Sequence, residues 1–114
     1  MNLAFQISAA LLDACVLAVL SRGETYGYVL TQNIKSVIDV SESTLYPVLR
    51  RLEKDGGLST FDQPFNGRNR RYYAITQKGG DALKNYIQEW EAYKNGIDQI
   101  LKGEANDEQA NLHA

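Results

Sequence analysis

Residues Ser41 to Arg71 read SESTLYPVLRRLEKDGGLSTFDQPFNGRNRR, and this stretch decides the fold of the 114-residue chain. At about 100° per residue, a helix that begins after Ser41 has one apolar and one polar face. The apolar face holds Leu45, Val48, Leu49 and Leu52, and the polar face holds Ser43, Pro47, Arg50 and Lys54, with Tyr46 at its edge. The Ser41 hydroxyl can cap this helix, and Gly56-Gly57 can end it.

After this helix the sequence predicts two short strands joined by a polar turn, Gln63 to Asn69, with three arginines at the end of the stretch. A helix with hydroxyls and cations outside, followed at once by a basic hairpin, is typical of a helix-turn-helix reader with a wing. An amphipathic helix by itself is more often a solvated helix lying on a core. The hairpin and the charge distribution favour the reader over that alternative.

The charge distribution singles out the same part of the chain. Residues 1–40 hold 2 basic and 3 acidic side chains, residues 41–80 hold 7 and 4, and residues 81–114 hold 3 and 7. The balances of −1, +3 and −4 sum to the net charge of −2. A phosphate backbone would therefore meet the helix and hairpin, and the acidic last third would face away from it.

Length and composition restrict the class of protein. A chain of 114 residues forms one domain with a modest core. The longest apolar stretch, Ala9 to Leu20, contains Asp13 and is shorter than the ~18 residues of a membrane span. The single cysteine, Cys15, cannot form an internal disulfide, which fits a reducing compartment. We therefore expect a cytoplasmic protein without a membrane partner.

Two helices precede the reader helix. The first, about Ser8 to Arg22, is apolar nearly all round, which suggests that a second chain covers part of it. Thr25 is a candidate N-cap for the second, which runs to about Val37. Side-chain alternation predicts that the hairpin closes the interior of this three-helix unit through Leu58, Phe61, Tyr73 and Ile75.

A long final helix, capped by Thr76, is predicted from Gln77 to Lys102. It spans ~39 Å at 1.5 Å per residue, which exceeds the unit on which it would lie. Its apolar stripe therefore favours a second copy of the chain as partner over simple packing on its own core. The predicted dimer-interface residues are Leu11, Leu83, Ile87, Trp90, Ile97 and Leu101.

These elements predict a mainly α fold with a small β-hairpin. A winged helix-turn-helix (1–75) is followed by a C-terminal dimerisation helix (76–103) and a flexible tail (104–114). An enzyme is not indicated, because the only histidine is His113 in the tail and Cys15 has no histidine partner. No cluster has metal-ligand spacing and no glycine-rich loop suits a phosphate, so neither a metal nor a cofactor is expected.

Three groups of residues resemble the PadR family of bacterial winged-helix transcriptional regulators. They are Tyr26-Gly27-Tyr28, then Ser43 to Pro47 with Leu49 to Glu53, and Arg70 to Tyr73 with Thr76 and Gly79. The resemblance covers about Leu11 to Gly80, and the single C-terminal helix resembles the small subfamily, which dimerises through that helix and the partner's first helix. The chain departs from the family at Gly57, which should loosen the joint after the reader helix, and in the wing turn Phe65 to Asn69.

The resemblance implies that the reader helix enters the major groove of double-stranded DNA. Hydroxyls and rings near its N-terminal end would approach base edges, and the cations would meet phosphates or a minor groove. The expected DNA-binding residues are Ser43, Thr44, Tyr46, Pro47, Arg50, Lys54, Arg68 and Arg70, whereas Arg71 can instead pair with an acid of the fold.

The last hypothesis from the sequence concerns the role of Trp90. In small members of the family a tryptophan here resembles the residue that stacks flat aromatic drugs in a pore between the two chains. Trp90 with Tyr86 and Tyr93 would then bind a planar aromatic effector, and the alternative is plain dimer packing. The sequence thus indicates a homodimeric repressor on an inverted-repeat operator, released by such a ligand. The alternative is a dimeric winged-helix scaffold or protein-interaction module without specific DNA binding.

Overall fold

The computed structural model describes residues 5–103, and in that part of the chain it contains four helices and a small three-stranded sheet. In chain order the elements are α1 (Ala9–Ser21), β1 (Thr25–Tyr26), α2 (Gly27–Lys35), α3 (Glu42–Lys54), β2 (Leu58–Phe65), β3 (Arg68–Ile75) and α4 (Gln77–Lys102). The mainly α winged-helix fold is confirmed. The predicted flexible tail, 104–114, lies outside the described residues.

Side-chain hydroxyls cap three of the four helices. The oxygens of Ser8, Ser41 and Thr76 accept hydrogen bonds from backbone N–H groups three residues further on, at 3.1, 3.2 and 3.1 Å. The predicted caps at Ser41 and Thr76 are confirmed. The predicted cap at Thr25 is wrong, because Thr25 pairs with Tyr73 in β1 and α2 begins only at Gly27.

The sheet has the antiparallel order β1-β3-β2. Its hairpin turn is shorter than the predicted Gln63–Asn69 segment, since β2 and β3 continue to Phe65 and from Arg68. Asn66 and Gly67 alone form the turn, with φ angles of 52° and 77°. Positive φ at both central residues is the type I′ geometry, whose twist matches that of the two strands and so lets them pair to the tip.

The core lies between the helices and one face of the sheet. Its most deeply buried side chains come from all three N-terminal helices, and β2, β3 and the start of α4 complete it: Leu12, Val16, Leu17, Leu20, Leu30, Ile34, Leu45, Val48, Leu49, Leu52, Leu58, Tyr73 and Leu83. The predicted role of Phe61 in closing this core is wrong. Phe61 lies opposite Tyr72 in the register, on the face of the sheet that points away from the core.

The joint between α3, β2 and α4 is tightly connected. Gly56, at φ 87°, follows the helix end, and the Gly57 N–H donates to Leu52 O at 2.9 Å. Thr76 donates its N–H to Gly57 O at 3.1 Å and its hydroxyl to Gly56 O at 2.6 Å. The expectation that Gly57 loosens this joint is wrong, since Gly57 is buried against Gly79 and its carbonyl is bonded.

None of the helices described in residues 5–103 combines the length and apolar character needed to cross a membrane.

Candidate nucleic-acid interface

The N-terminal end of α3 presents a group of exposed hydroxyls. The Ser41 oxygen lies 2.9 Å from the Ser43 oxygen and 3.0 Å from the Thr44 hydroxyl oxygen. Glu42 beside them forms an exposed ion pair with Lys35 at 3.4 Å. Because all three hydroxyls face solvent, Ser43 and Thr44 can exchange their contacts with Ser41 for hydrogen bonds to a ligand.

The outward face of α3 matches the predicted polar face. Ser43, Pro47, Arg50 and Lys54 are all exposed, and the buried side of the same helix fills the core. Pro47 lies inside the helix without ending it, although it lacks the N–H that would bond to the Ser43 carbonyl. The face therefore combines a hydroxyl and a proline ring in the first turns with two cations further along.

Tyr46 has a structural contact that the sequence pattern did not reveal. Its ring is half-buried, and a Cβ placed on Gly27 would lie 3.4 Å from it. The absence of a side chain at Gly27 thus lets α2 approach the Tyr46 ring closely. The Tyr46 ring therefore packs against the start of α2, and only part of it remains exposed.

The wing, defined as β2, β3 and the Asn66-Gly67 turn, carries three arginines with different surroundings. Arg68 beside the turn is exposed. Arg70 places its guanidinium carbon 4.9 Å from the Tyr26 ring centroid. Arg71 pairs with Asp62 at 3.7 Å, which confirms the expectation that it meets an acid of the fold. Arg68 and Arg70 lie on one face of the sheet and Arg71 on the other.

An ion pair between the buried Asp13 and the partly exposed Arg51 joins α1 to α3 and was missed in the sequence. Asp13, with 6% of its surface exposed, accepts two hydrogen bonds from the two terminal nitrogens of Arg51, one at 3.0 Å. The bond to Asp13 raises the pKa of the Arg51 guanidinium, so the guanidinium stays charged. The sequence signal for this ion pair was Asp13, a single carboxylate within an otherwise apolar helix, because a buried charge requires a partner.

A groove between α1 and α4 gathers the predicted ligand residues. Tyr86, Trp90 and Tyr93 line it together with Leu11 and Glu89, and its volume is about 630 Å³. The Trp90 and Tyr93 ring centroids are 6.3 Å apart, and 39% of Trp90 is exposed. Lys94 turns to Glu91 at 3.1 Å. The groove is thus aromatic and open, with a carboxylate at its edge.

The apolar stripe of α4 divides into a covered and an uncovered part. Leu83 is buried in the core of its own chain, so little of its side chain remains for the predicted contact with a partner. Further along, Ile87, Ile97 and Leu101 are exposed to 51%, 37% and 73%. The exposed part begins beyond Leu83, which is the α4 side chain buried in the core.

The described residues offer little for other chemistry. Within residues 5–103, no three His, Cys, Asp or Glu side chains come together as a metal site. Burial raises the pKa of the Cys15 thiol, which keeps it protonated at neutral pH and poorly nucleophilic.

The sequence model of the PadR-like family of transcriptional regulators matches residues 16–85 of the chain. The chain belongs to the PadR-like family. The matched residues run from the middle of α1 through the winged helix-turn-helix into α4. They include the whole of α3 and the wing, so the exposed polar face lies within the region that the family model matches.

Known proteins resemble this PadR-like chain over most of its length. The crystal structure of smu.1704 from Streptococcus mutans is 41% identical and has a TM-score of 0.83, covering 91% of this chain and 98% of its own. A PadR-like transcriptional regulator from Bacillus cereus, BC4206, is 32% identical with a TM-score of 0.76, at 82% and 94% coverage. An uncharacterised protein of Lysinibacillus sphaericus is 32% identical over 81% of this chain and 89% of its own length.

Proposed function

We propose that the protein is a homodimeric transcriptional repressor that binds an inverted-repeat operator and acts in the cytoplasm, without catalysing a reaction. The exposed face of α3 carries this proposal. Hydroxyls occupy its first turn, two cations lie further along the same face, and the basic wing follows immediately. This order of groups suits a helix whose N-terminal end meets base edges while its flanks meet phosphates.

The exposed side chains of α3 and the wing each have a role in this proposal. Ser43 and Thr44 hydrogen-bond to base edges or nearby phosphates, and Pro47 with the exposed part of Tyr46 contacts a thymine methyl group. Arg50 and Lys54 neutralise phosphates beside the major groove, and Arg68 and Arg70 extend the contact at the wing. Base contacts therefore come from the first turns of α3, and the cations supply sequence-independent affinity.

The uncovered part of α4 supports a dimer. Exposed apolar side chains at three- and four-residue steps form a stripe that another apolar surface can bury, which favours association with a second copy: Ile87, Trp90, Tyr93, Ile97 and Leu101. Two reader helices related by a two-fold axis bind two half-sites of opposite orientation, which makes the operator an inverted repeat. Repression follows when the bound dimer excludes polymerase from an overlapping promoter.

The groove between α1 and α4 supports a regulatory ligand. Trp90, Tyr86 and Tyr93 offer aromatic faces for a planar aromatic molecule, and the groove lies on the two helices expected at the dimer interface. A ligand that fits one spacing of the two chains better than another shifts the separation of the reader helices and weakens operator binding.

DNA selection tests the proposal. The purified protein is mixed with random duplexes, the bound pool is sequenced, and affinity for a selected duplex is measured as salt is raised. We expect enrichment of an inverted repeat and a steep linear fall of log K with log salt. A scaffold without DNA binding would enrich no sequence and would show no such salt dependence, and that result would overturn the proposal.

Fluorescence of Trp90, the only tryptophan, tests the ligand separately. Flat aromatic cations, uncharged aromatics and phenolic acids are titrated into the protein in turn. Saturable quenching near one ligand per dimer is the expected result. Absence of quenching by every class would leave Trp90 as packing and would remove the ligand from the proposal, while leaving DNA binding intact.

A further inference from the structure

The face of the sheet that points away from the core carries an aromatic cluster with an arginine in it. The Phe61 and Tyr72 rings stack with their centroids 5.3 Å apart, and Tyr26 lies 5.6 Å from Tyr72. Phe65, at the end of β2, lies 5.6 Å from Tyr26. The antiparallel register explains the cluster, because residues opposite one another across strands share a face.

Arg70 contacts two of these rings, which we call the aromatic pair: Tyr26 and Phe65. Its guanidinium carbon lies 4.9 Å from the Tyr26 centroid and 5.6 Å from the Phe65 centroid. Both distances are within the ~6 Å over which a ring face attracts a cation. Tyr26 immediately precedes α2, and Phe65 immediately precedes the wing turn. The contact therefore fixes Arg70 between the helix-turn-helix and the wing tip.

The rings of Tyr26 and Phe65 hold the Arg70 guanidinium in place, but no acidic side chain within residues 5–103 neutralises its charge. The Arg70 Nε atom is buried and has no hydrogen-bond acceptor among residues 5–103, and no carboxylate of that range forms an ion pair with this side chain. Arg51 and Arg71, by contrast, are paired with Asp13 and Asp62. A ring face attracts a cation but carries no net charge, so Arg70 keeps its full attraction for an anion.

We propose that Tyr26 and Phe65 are positioning residues that preorganise the Arg70 guanidinium for a backbone phosphate of duplex DNA. This inference rests on the proposed DNA-binding function and adds two residues that do not themselves touch DNA. A long side chain that is already stacked loses less conformational freedom on binding.

Matched phenylalanine variants on β2 test the inference. Phe65→Leu removes a ring that contacts Arg70. Phe61→Leu removes a ring of the same cluster that, among residues 5–103, stacks on Tyr72 and does not contact Arg70. Phe65→Tyr keeps the ring, and Arg70→Ala removes the cation. Affinity is measured by fluorescence anisotropy on a duplex selected by the wild-type protein and on one of unrelated sequence, from 50 to about 200 mM salt, the range over which phosphate contacts change affinity most clearly.

We expect Arg70→Ala to weaken binding to both duplexes by roughly fivefold to tenfold and to reduce the salt slope by about one. Phe65→Leu should produce most of the same loss of affinity, and Phe65→Tyr should restore it. Adding Phe65→Leu to Arg70→Ala should cost little more, because the ring acts only through the arginine. Phe61→Leu should bind as the wild type does. Thermal melting of each variant confirms that it is folded.

Three results would overturn the inference. Equal losses in Phe65→Leu and Phe61→Leu would show a general packing effect, and additive losses in the double variant would show that Phe65 acts independently of Arg70. Wild-type affinity in Arg70→Ala would remove the phosphate contact while leaving the proposed function in place. Absence of any duplex binding by the wild-type protein would overturn the proposed function together with this inference.

Discussion

Two regions of the molecule differ in how far their apolar side chains are buried. One is the reader unit, formed by α1 to α3 with the wing, and the other is the second half of α4. In the reader unit Leu45 and Leu49 are almost completely buried, while the polar face of α3 points to solvent. In α4 beyond Leu83, Ile100 and Leu101 are exposed to 78% and 73%. The reader unit therefore completes its own core within one chain, whereas the second half of α4 leaves apolar side chains exposed, which the proposed dimer would bury.

Ile97→Asp should have the largest effect, because it places a carboxylate in the surface that we expect two chains to bury. The substitution occurs twice in a two-fold dimer, so we expect the dimer dissociation constant to rise at least a hundredfold, or about 3 kcal/mol. Sedimentation equilibrium measures this change. Asn85→Asp, on the polar side of α4, adds the same charge and should leave the dimer intact. Equal dimer dissociation constants for Ile97→Asp and Asn85→Asp would contradict the proposal that the apolar stripe of α4 is buried between two chains.

Gly79→Ala tests the joint that holds α4 on the reader unit. A Cβ at Gly79 would overlap the Gly57 carbonyl oxygen and lie 3.0 Å from Ile75, so the close approach of the two segments would be lost. We expect the free energy of unfolding to fall by about 2–3 kcal/mol in chemical denaturation. Gly80→Ala is the control, since a Cβ there meets open space, and it should raise stability by up to about 1 kcal/mol. Equal losses in the free energy of unfolding for Gly79→Ala and Gly80→Ala would contradict the close packing at this joint.

Asp13→Asn tests the ion pair between α1 and α3. It leaves Arg51 without its charged partner, although the 45% exposure of the Arg51 side chain lets water replace part of the interaction. We therefore expect a loss of about 1–2 kcal/mol in the free energy of unfolding. Asp62→Asn breaks the exposed pair with Arg71 and should change stability by less than about 0.5 kcal/mol. A larger effect at Asp62 would contradict this ranking.

Ser43→Ala and Arg50→Ala should have the smallest effects and should differ in kind. Loss of the Ser43 hydroxyl should relax the sequence preference, at about 1 kcal/mol against mismatched sites. Loss of Arg50 should weaken binding to all duplexes about equally and reduce the salt slope by about one. Anisotropy titrations on selected and mismatched duplexes measure both. If the two patterns were exchanged, the assignment of base and phosphate contacts on α3 would be wrong.

Local patterns predicted most of the fold. The 3.6-residue periodicity of Leu45 to Leu52, the hydroxyl caps at Ser41 and Thr76, and the glycines after α3 each act within a few residues. The Asn66-Gly67 dipeptide was also a local signal for a two-residue turn, and the charged and polar residues around it were wrongly taken as part of a longer loop.

Long-range contacts account for what the sequence did not reveal. Strand β1 has two residues and exists only because it pairs with Tyr72 and Tyr73, so Thr25 instead looked like a helix cap. Asp13 and Arg51 are 38 positions apart in the sequence. The placement of Arg70 over Tyr26 depends on the pairing of β1 with the distant strand β3. In the candidate site, the exposed face of α3 followed from periodicity, whereas the partners of the arginines followed from the assembled sheet and core.

One titration tests the central proposal most directly. The selected operator duplex and a version with one half-site scrambled are each titrated with the protein at fixed salt, and the number of chains per duplex is determined at saturation. Two chains per intact duplex and at least a hundredfold weaker binding to the scrambled duplex are expected, because each lost half-site removes one reader helix from base contact. One chain per duplex, or equal affinity for both duplexes, would contradict a dimeric reader of an inverted repeat.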